Sequence, residues 1–129
     1  ADSTGVAQTF SGRAQVTGFA TVGLSSTGVT PDVENDEIDI VTAGTYRIEA
    51  NGWYLASAAG TVTFDIAVNG AAIDVAQAWT GYSDGTNVAP IAGRAITLSL
   101  SASDTVRLYA NDSGDLTFKS LTLDVQKVD

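Results

Sequence analysis

Between Ala43 and Gly70 the side chains alternate between apolar and polar with a period of two, and this limits the fold more than any other feature of the chain. After the turn pair Ala43-Gly44, Tyr46, Ile48 and Ala50 fall on one side, with Thr45, Arg47, Glu49 and Asn51 on the other. A second run after Gly60 sets Val62, Phe64, Ile66 and Val68 against Thr61, Thr63, Asp65 and Asn69. An extended chain points successive side chains to opposite faces, so each run is a strand with one buried and one wet face. Asn69-Gly70 tolerates the positive φ of a tight hairpin turn. The expectation is two long antiparallel strands in the middle of one sheet, with the rest packed onto them. Late in the first strand the rule changes. Tyr54 and Ala56 continue the inner face, but Trp53 and Leu55 stand where the outer face should be wet. A strand apolar on both sides is covered on both sides. In a chain this small, the second cover expected is another subunit.

The remaining sequence is punctuated into short strands. Ala1 to Gly5 forms a polar lead, expected to be mobile or to serve as an anchor, and residues 6–129 form a single domain. Phe10, Ala14 and Val16 fall in step, then Ala20, Val22 and Leu24. Ser25 to Asn35 reads as a loop, with Gly28 and Pro31 as breakers. Ile38 and Ile40 mark a brief strand, and Ile73 and Val75 the return arm after Asn69-Gly70. Thr80 to Pro90 reads as the longest loop. The run from Arg94 to Leu100 places Ile96, Leu98 and Leu100 inward, and after a turn at Ala102–Asp104 come Val106 and Leu108, with Arg107 and Tyr109 outward. In the last strand Leu116 and Phe118 are out of phase with Leu121, Leu123 and Val125. One extra residue near Lys119-Ser120 reconciles them, which predicts a β-bulge. No helical period, heptad or internal repeat occurs. Turn spacing gives roughly eight to ten strands, an all-β, two-sheet antiparallel sandwich.

Composition narrows function. At 129 residues the chain suits one domain able to bury a core without disulfides. Histidine and cysteine are both absent, so neither a Ser-His-Asp nor a Cys-His nucleophilic machine can be assembled, nor a thiolate metal site. Fifteen acids against six bases argue against a phosphate-backbone partner. No apolar run approaches the ~20 residues of a membrane span. The chain begins at Ala1 and contains no methionine, which fits either a trimmed initiator or a cleavage product.

In its central stretch the sequence resembles the jelly roll shared by tumour necrosis factor and the globular heads of the first complement component. The resemblance rests on Gly44-x-Tyr46-x-Ile48, on Phe64-x-Ile66-x-Val68 with its Asn69-Gly70 turn, and on Ile96-x-Leu98-x-Leu100 followed by Asp104-x-Val106-x-Leu108. Leu121-x-Leu123-x-Val125 matches the closing strand. Together these pieces run from Ile38 to Val125. The resemblance implies a compact homotrimer with aromatics along the threefold axis. Phage and bacterial members serve as virion fibres, spikes and capsid decorations, or as heads of stalked spore-surface proteins. The expected role is therefore a non-enzymatic structural protein of a virion surface, made in the host cytoplasm and seated on a major capsid protein or another virion component. The alternatives are a receptor-recognition module for a host-surface glycan and the head of a bacterial cell-surface or spore-coat protein. Ser103 departs from the family, which often has glycine before Asp104.

Several residues are candidates for a site. Trp53, Leu55 and Tyr109 are expected at the trimer interface, because large apolar groups left on a surface mark contacts. Trp79, Tyr82 and Asp84 form a candidate ligand loop, with a sugar-stacking platform weighed against a simple loop anchor, which is favoured. Paired carboxylates such as Asp32 or Glu34 with Asp84 could cleave glycosides, but acids concentrate in turns for conformational reasons, and no catalytic residue is assigned. Calcium is the one metal with a plausible cradle. The runs Asp32, Glu34, Asp36, Glu37, Asp39 and Asn111, Asp112, Asp115 are rich in oxygen, though neither matches a helix-loop-helix calcium loop, and no cofactor is expected.

Overall fold

The structure is a computed structural model and describes residues 2–3, 7–21, 27–72, 78–92 and 95–128. Among these residues the chain forms fourteen strands and no helix. In sheet A, β11 (Ala89–Ala92) and β12 (Ile96–Leu100) lie end to end along one edge of β7 (Gly44–Ala56). The other edge of β7 pairs with β14 (Asp115–Lys127), which in turn carries β2 (Ala7–Thr9) and β1 (Asp2–Ser3). β4 (Phe19–Thr21) lies beyond β1. In sheet B, β10 (Trp79–Ser83) and β9 (Ala71–Ala72) border β8 (Gly60–Val68), and β8 pairs with β13 (Thr105–Asp112). β13 carries β3 (Gly12–Gln15) and β6 (Glu37–Ile40), and β5 (Val29–Asp32) forms the outer edge beside β6. Every one of these pairings is antiparallel.

The two alternating runs are strands, as their period requires, but they do not pair with each other. β7 is central to sheet A and β8 to sheet B. Between them, Ser57 to Ala59 span about 10 Å when extended, which is the spacing of stacked sheets. That link lets the two buried faces meet across the core instead of lying side by side. The Tyr54 and Phe64 rings make this contact edge to face, 5.3 Å apart. Around them the core takes Phe10, Val16, Ile40, Tyr46, Ile48, Leu108, Phe118 and Leu123, all buried.

Two local expectations hold. Asn69 and Gly70 both have positive φ and join Val68 to Ala71 in a two-residue hairpin. In β14 the register against β7 shifts between Lys119 and Thr122, so Ser120 and Leu121 together oppose Gly52. With that bulge Leu116, Phe118, Leu121, Leu123 and Val125 are all buried on one face. Gly52 is required there: at φ 146° an added Cβ would stand 2.7 Å from Leu121 Cα and 2.9 Å from the Ser120 carbonyl oxygen.

Other expectations change. Val29–Asp32, within the expected first loop, is strand β5. Pro31 is tolerated because β5 is the sheet edge, where a missing N–H costs no ladder bond. The expected long loop from Thr80 to Pro90 shrinks to residues 84–88, since β10 and β11 occupy its ends. Asp2–Ser3, in the expected lead, pair as β1 with β14 and β4. Val22, Leu24, Ile73, Val75 and Arg94 lie outside the described residues.

Candidate functional site

The outer face of sheet A is polar at one end and apolar at the other. Arg47, Glu49 and Asn51 line the polar end of β7: the Arg47 guanidinium reaches Glu49 at 2.8 Å, and the Asn51 amide donates to the same carboxylate. Trp53 and Leu55 follow on the same face. Trp53 lies directly between Pro90 of β11 and Lys119 of β14, and Leu55 lies opposite Thr117. Val88 lies just before β11, two residues ahead of Pro90. Trp53 is 47% exposed and Val88 42%, so this corner presents a tryptophan, a valine and a proline to solvent around a half-buried leucine.

Sheet B treats its outer face differently. Arg13 grips Asp65 through two bonds, Nε to Oδ1 at 3.0 Å and Nη2 to Oδ2 at 2.6 Å, while its guanidinium carbon sits 4.0 Å above the Tyr109 ring. Arg107 donates twice to Glu37 Oε1, at 3.0 and 2.6 Å. These arginines cover Asp65, Glu37 and Ala67, all buried although they point away from the core. Hydrogen bonding to its carboxylate raises the pKa of each arginine above the ordinary value, against a smaller opposing effect of burial. Tyr109 therefore lies on the opposite sheet from Trp53 and Leu55. The structure does not bring those three residues into one patch.

Among the described residues, Asp32, Glu37 and Asp39 are the one group of three acids close enough to share an ion, their ligand atoms lying within 4.8 Å of one another. Cross-strand register assembles them: Asp32 lies opposite Glu37, and Asp39 is two residues further along β6 on the same face. Three carboxylates around one arginine cannot all ionise cheaply. Asp39 is raised to about 6, first by a hydrogen bond with Glu37, then by burial, then by the charges of Glu37 and Asp32. Two carboxyl groups bond only if one keeps a proton; with both ionised, the buried Asp39 Oδ1 has no donor. A hard cation asks for about six to eight oxygens, whereas here the guanidinium already occupies one carboxylate. Glu34 and Asp36 stay outside this group. Of the second oxygen-rich turn, Asp115 accepts from the Thr9 hydroxyl at 2.6 Å, and the turn forms no three-acid group.

The residues of the candidate ligand loop separate. Trp79 points inward and stacks on Phe64, ring centres 5.8 Å apart. Tyr82, three residues on, projects from the opposite face and is 63% exposed. Asp84 spends both carboxylate oxygens on its own loop, accepting from the Thr86 and Asn87 amides at 2.8 Å and from the Asn87 side chain at 3.0 Å. Those bonds hold its pKa below the ordinary carboxylate value. Trp79 and Tyr82 thus cannot form one platform, and Trp79 anchors the strand.

The arginine pairs escaped sequence reading because they join residues 52 and 70 positions apart. The available signal was charge on the wet side of strands already recognised by their period. Val88 and Pro90 are hidden from sequence reading because Thr80 to Pro90 reads as a loop. Comparison with known proteins leaves this geometry to stand by itself: no protein-family model matches the chain, and no curated protein matches it.

Proposed function

We propose that the chain is a non-enzymatic structural subunit, a jelly roll that assembles as a homotrimer and decorates the surface of a virion. The jelly-roll reading is supported by nested pairing. β2 pairs with β14 in sheet A, β3 and β6 with β13 in sheet B, β7 with β12 in sheet A, and β8 with β10 in sheet B. A long antiparallel ribbon rolled on itself gives this alternation, with partners ever closer in sequence. The observation that carries self-association is the apolar corner of sheet A, where Trp53, Val88 and Pro90 remain open together. An exposed tryptophan with a proline at one side and a leucine two residues on is what a subunit contact buries. The virion location rests on the family resemblance and on a sequence without histidine or cysteine to build a nucleophilic site.

Light scattering after size exclusion tests the assembly. The expected mass is three times that of the chain, and Trp53→Glu is expected to yield a folded monomer. A stable wild-type monomer at micromolar concentration overturns the proposal. Antibody labelling of purified particles tests the location.

A further inference from the structure

The far end of sheet B's outer face, away from the acidic group, forms a shallow depression of about 450 Å³. Thr61 and Thr63 of β8 and Asn111 and Asp112 of β13 line it, with Ser11 and Ser113 at its margin. Register explains the gathering: Thr80, Thr63, Asn111 and Arg13 are successive cross-strand neighbours in one row across four strands. In the adjacent row Thr61 is paired with Tyr82 of β10, whose ring is 63% exposed on this same face. Directly opposed side chains on a sheet stand about 5 Å apart, so the tyrosine borders the depression.

We propose that this surface binds a neutral saccharide, with the Tyr82 ring as its stacking platform. The hydroxyls of Thr61 and Thr63 and the amide of Asn111 supply both donors and acceptors. A polyhydroxylated ligand needs that mixture, and no hydrogen bond from another described residue engages any of these three side chains. An exposed aromatic ring offers an apolar face for the C–H side of a sugar while its hydroxyl stays in water. The supports are strand residues, and Arg13 at the end of the row is locked between Asp65 and Tyr109. Such a surface is held in place before a ligand arrives. Asp112 within the depression and a net charge of −9 disfavour an anionic sugar. The assignment uses none of the residues of the apolar corner and stands whether or not the chain forms a trimer.

Amide-resolved NMR titration tests it, with the methyl glycosides of galactose, glucose, mannose and N-acetylglucosamine, a sialoside, and calcium chloride alone. At least one neutral glycoside is expected to give saturable shifts centred on Thr61, Thr63 and Asn111. Tyr82→Ala is expected to weaken that binding roughly 3- to 10-fold, the worth of one stacking contact. Thr63→Val is expected to weaken it as well, with the dispersed spectrum of a folded protein retained in both variants. Absence of saturable shifts with every neutral glycoside overturns the proposal, as does binding indifferent to both substitutions. Shifts confined to the sialoside overturn the neutral assignment, and shifts confined to calcium chloride replace the saccharide with a cation.

Discussion

The two outer faces of the sandwich solve the same problem in opposite ways. Each covers a central strand pair, β7 with β14 or β8 with β13, whose inner side is spent on the core. Sheet B closes the middle of its outer side with its own residues: Arg13 and Arg107 lie across buried carboxylates, and Arg13 covers Tyr109, while Tyr82 stays open at the β10 edge. Sheet A leaves Trp53 and Val88 open beside Pro90. A face that satisfies itself with charge needs no protein partner, whereas an apolar corner loses free energy to water until something covers it. Under the proposed assembly, sheet A is the side that would face another subunit, and sheet B is left to small polar ligands.

The contrast can be broken most severely at Gly52, directly before Trp53 and against the bulge of β14. In Gly52→Ala the new methyl meets backbone, not a flexible side chain, at a φ of 146°. A loss of roughly 3 kcal/mol is expected in urea unfolding, from overpacking and strain together. On sheet B the corresponding change is Arg107→Ala, which leaves Glu37 buried beside Asp39 and Asp32 without a cation. Removing one partner of a largely buried pair costs more than the pair contributes. Since Arg107 keeps some solvent, about 1–3 kcal/mol is expected at pH 7, with a smaller loss at pH 5, where Asp39 holds its proton.

The acidic group sharpens the comparison through pH. An unfolded aspartate titrates near 4, while Asp39 in the folded chain keeps its proton to about 6. Between those values the folded state binds a proton that the unfolded chain has released. Its contribution to stability is therefore fullest below about pH 4 and is lost as pH rises through about 6. Thermal midpoints are expected to fall over that window and to flatten in Asp39→Asn. A slope unchanged by the substitution counts against proton sharing with Glu37. The smallest effect belongs to the turn between β12 and β13, where Ser103 holds a φ of 75°. Left-handed backbone costs a residue with a Cβ about 1 kcal/mol. Ser103→Gly is expected to gain about 0.5 kcal/mol once the looser unfolded chain is counted, read as a raised urea midpoint.

The turn at Ala102–Asp104 was legible from its residues, and Ser103 holds the positive φ of its bend. The parity slip between Phe118 and Leu121 was likewise legible, because a period of two permits one residue of error only where the backbone bulges. Sheet membership was not legible. Tyr46, Ile48, Phe64 and Ile66 announce buried faces, but a buried face is satisfied equally by a neighbour across the core, and the three-residue link at Ser57–Ala59 permitted the crossing. Trp79 and Tyr82 show the same limit at a candidate site. Their closeness in sequence suggested one platform, whereas three residues along a strand put them on opposite faces.

What the sequence by itself determined was local: extended segments, the side of each strand that is apolar, the Asn69-Gly70 turn, the bulge, and the lack of any histidine or cysteine. These follow from the geometry of one strand and from residue chemistry, and need no partner. Only the tertiary structure decided which strands meet, and with that the Arg13–Asp65 and Arg107–Glu37 pairs, the group of three acids, the apolar corner and the polar row ending at Arg13. Each depends on register between segments far apart in the chain, and alternation within a strand carries no information about the identity of its neighbour.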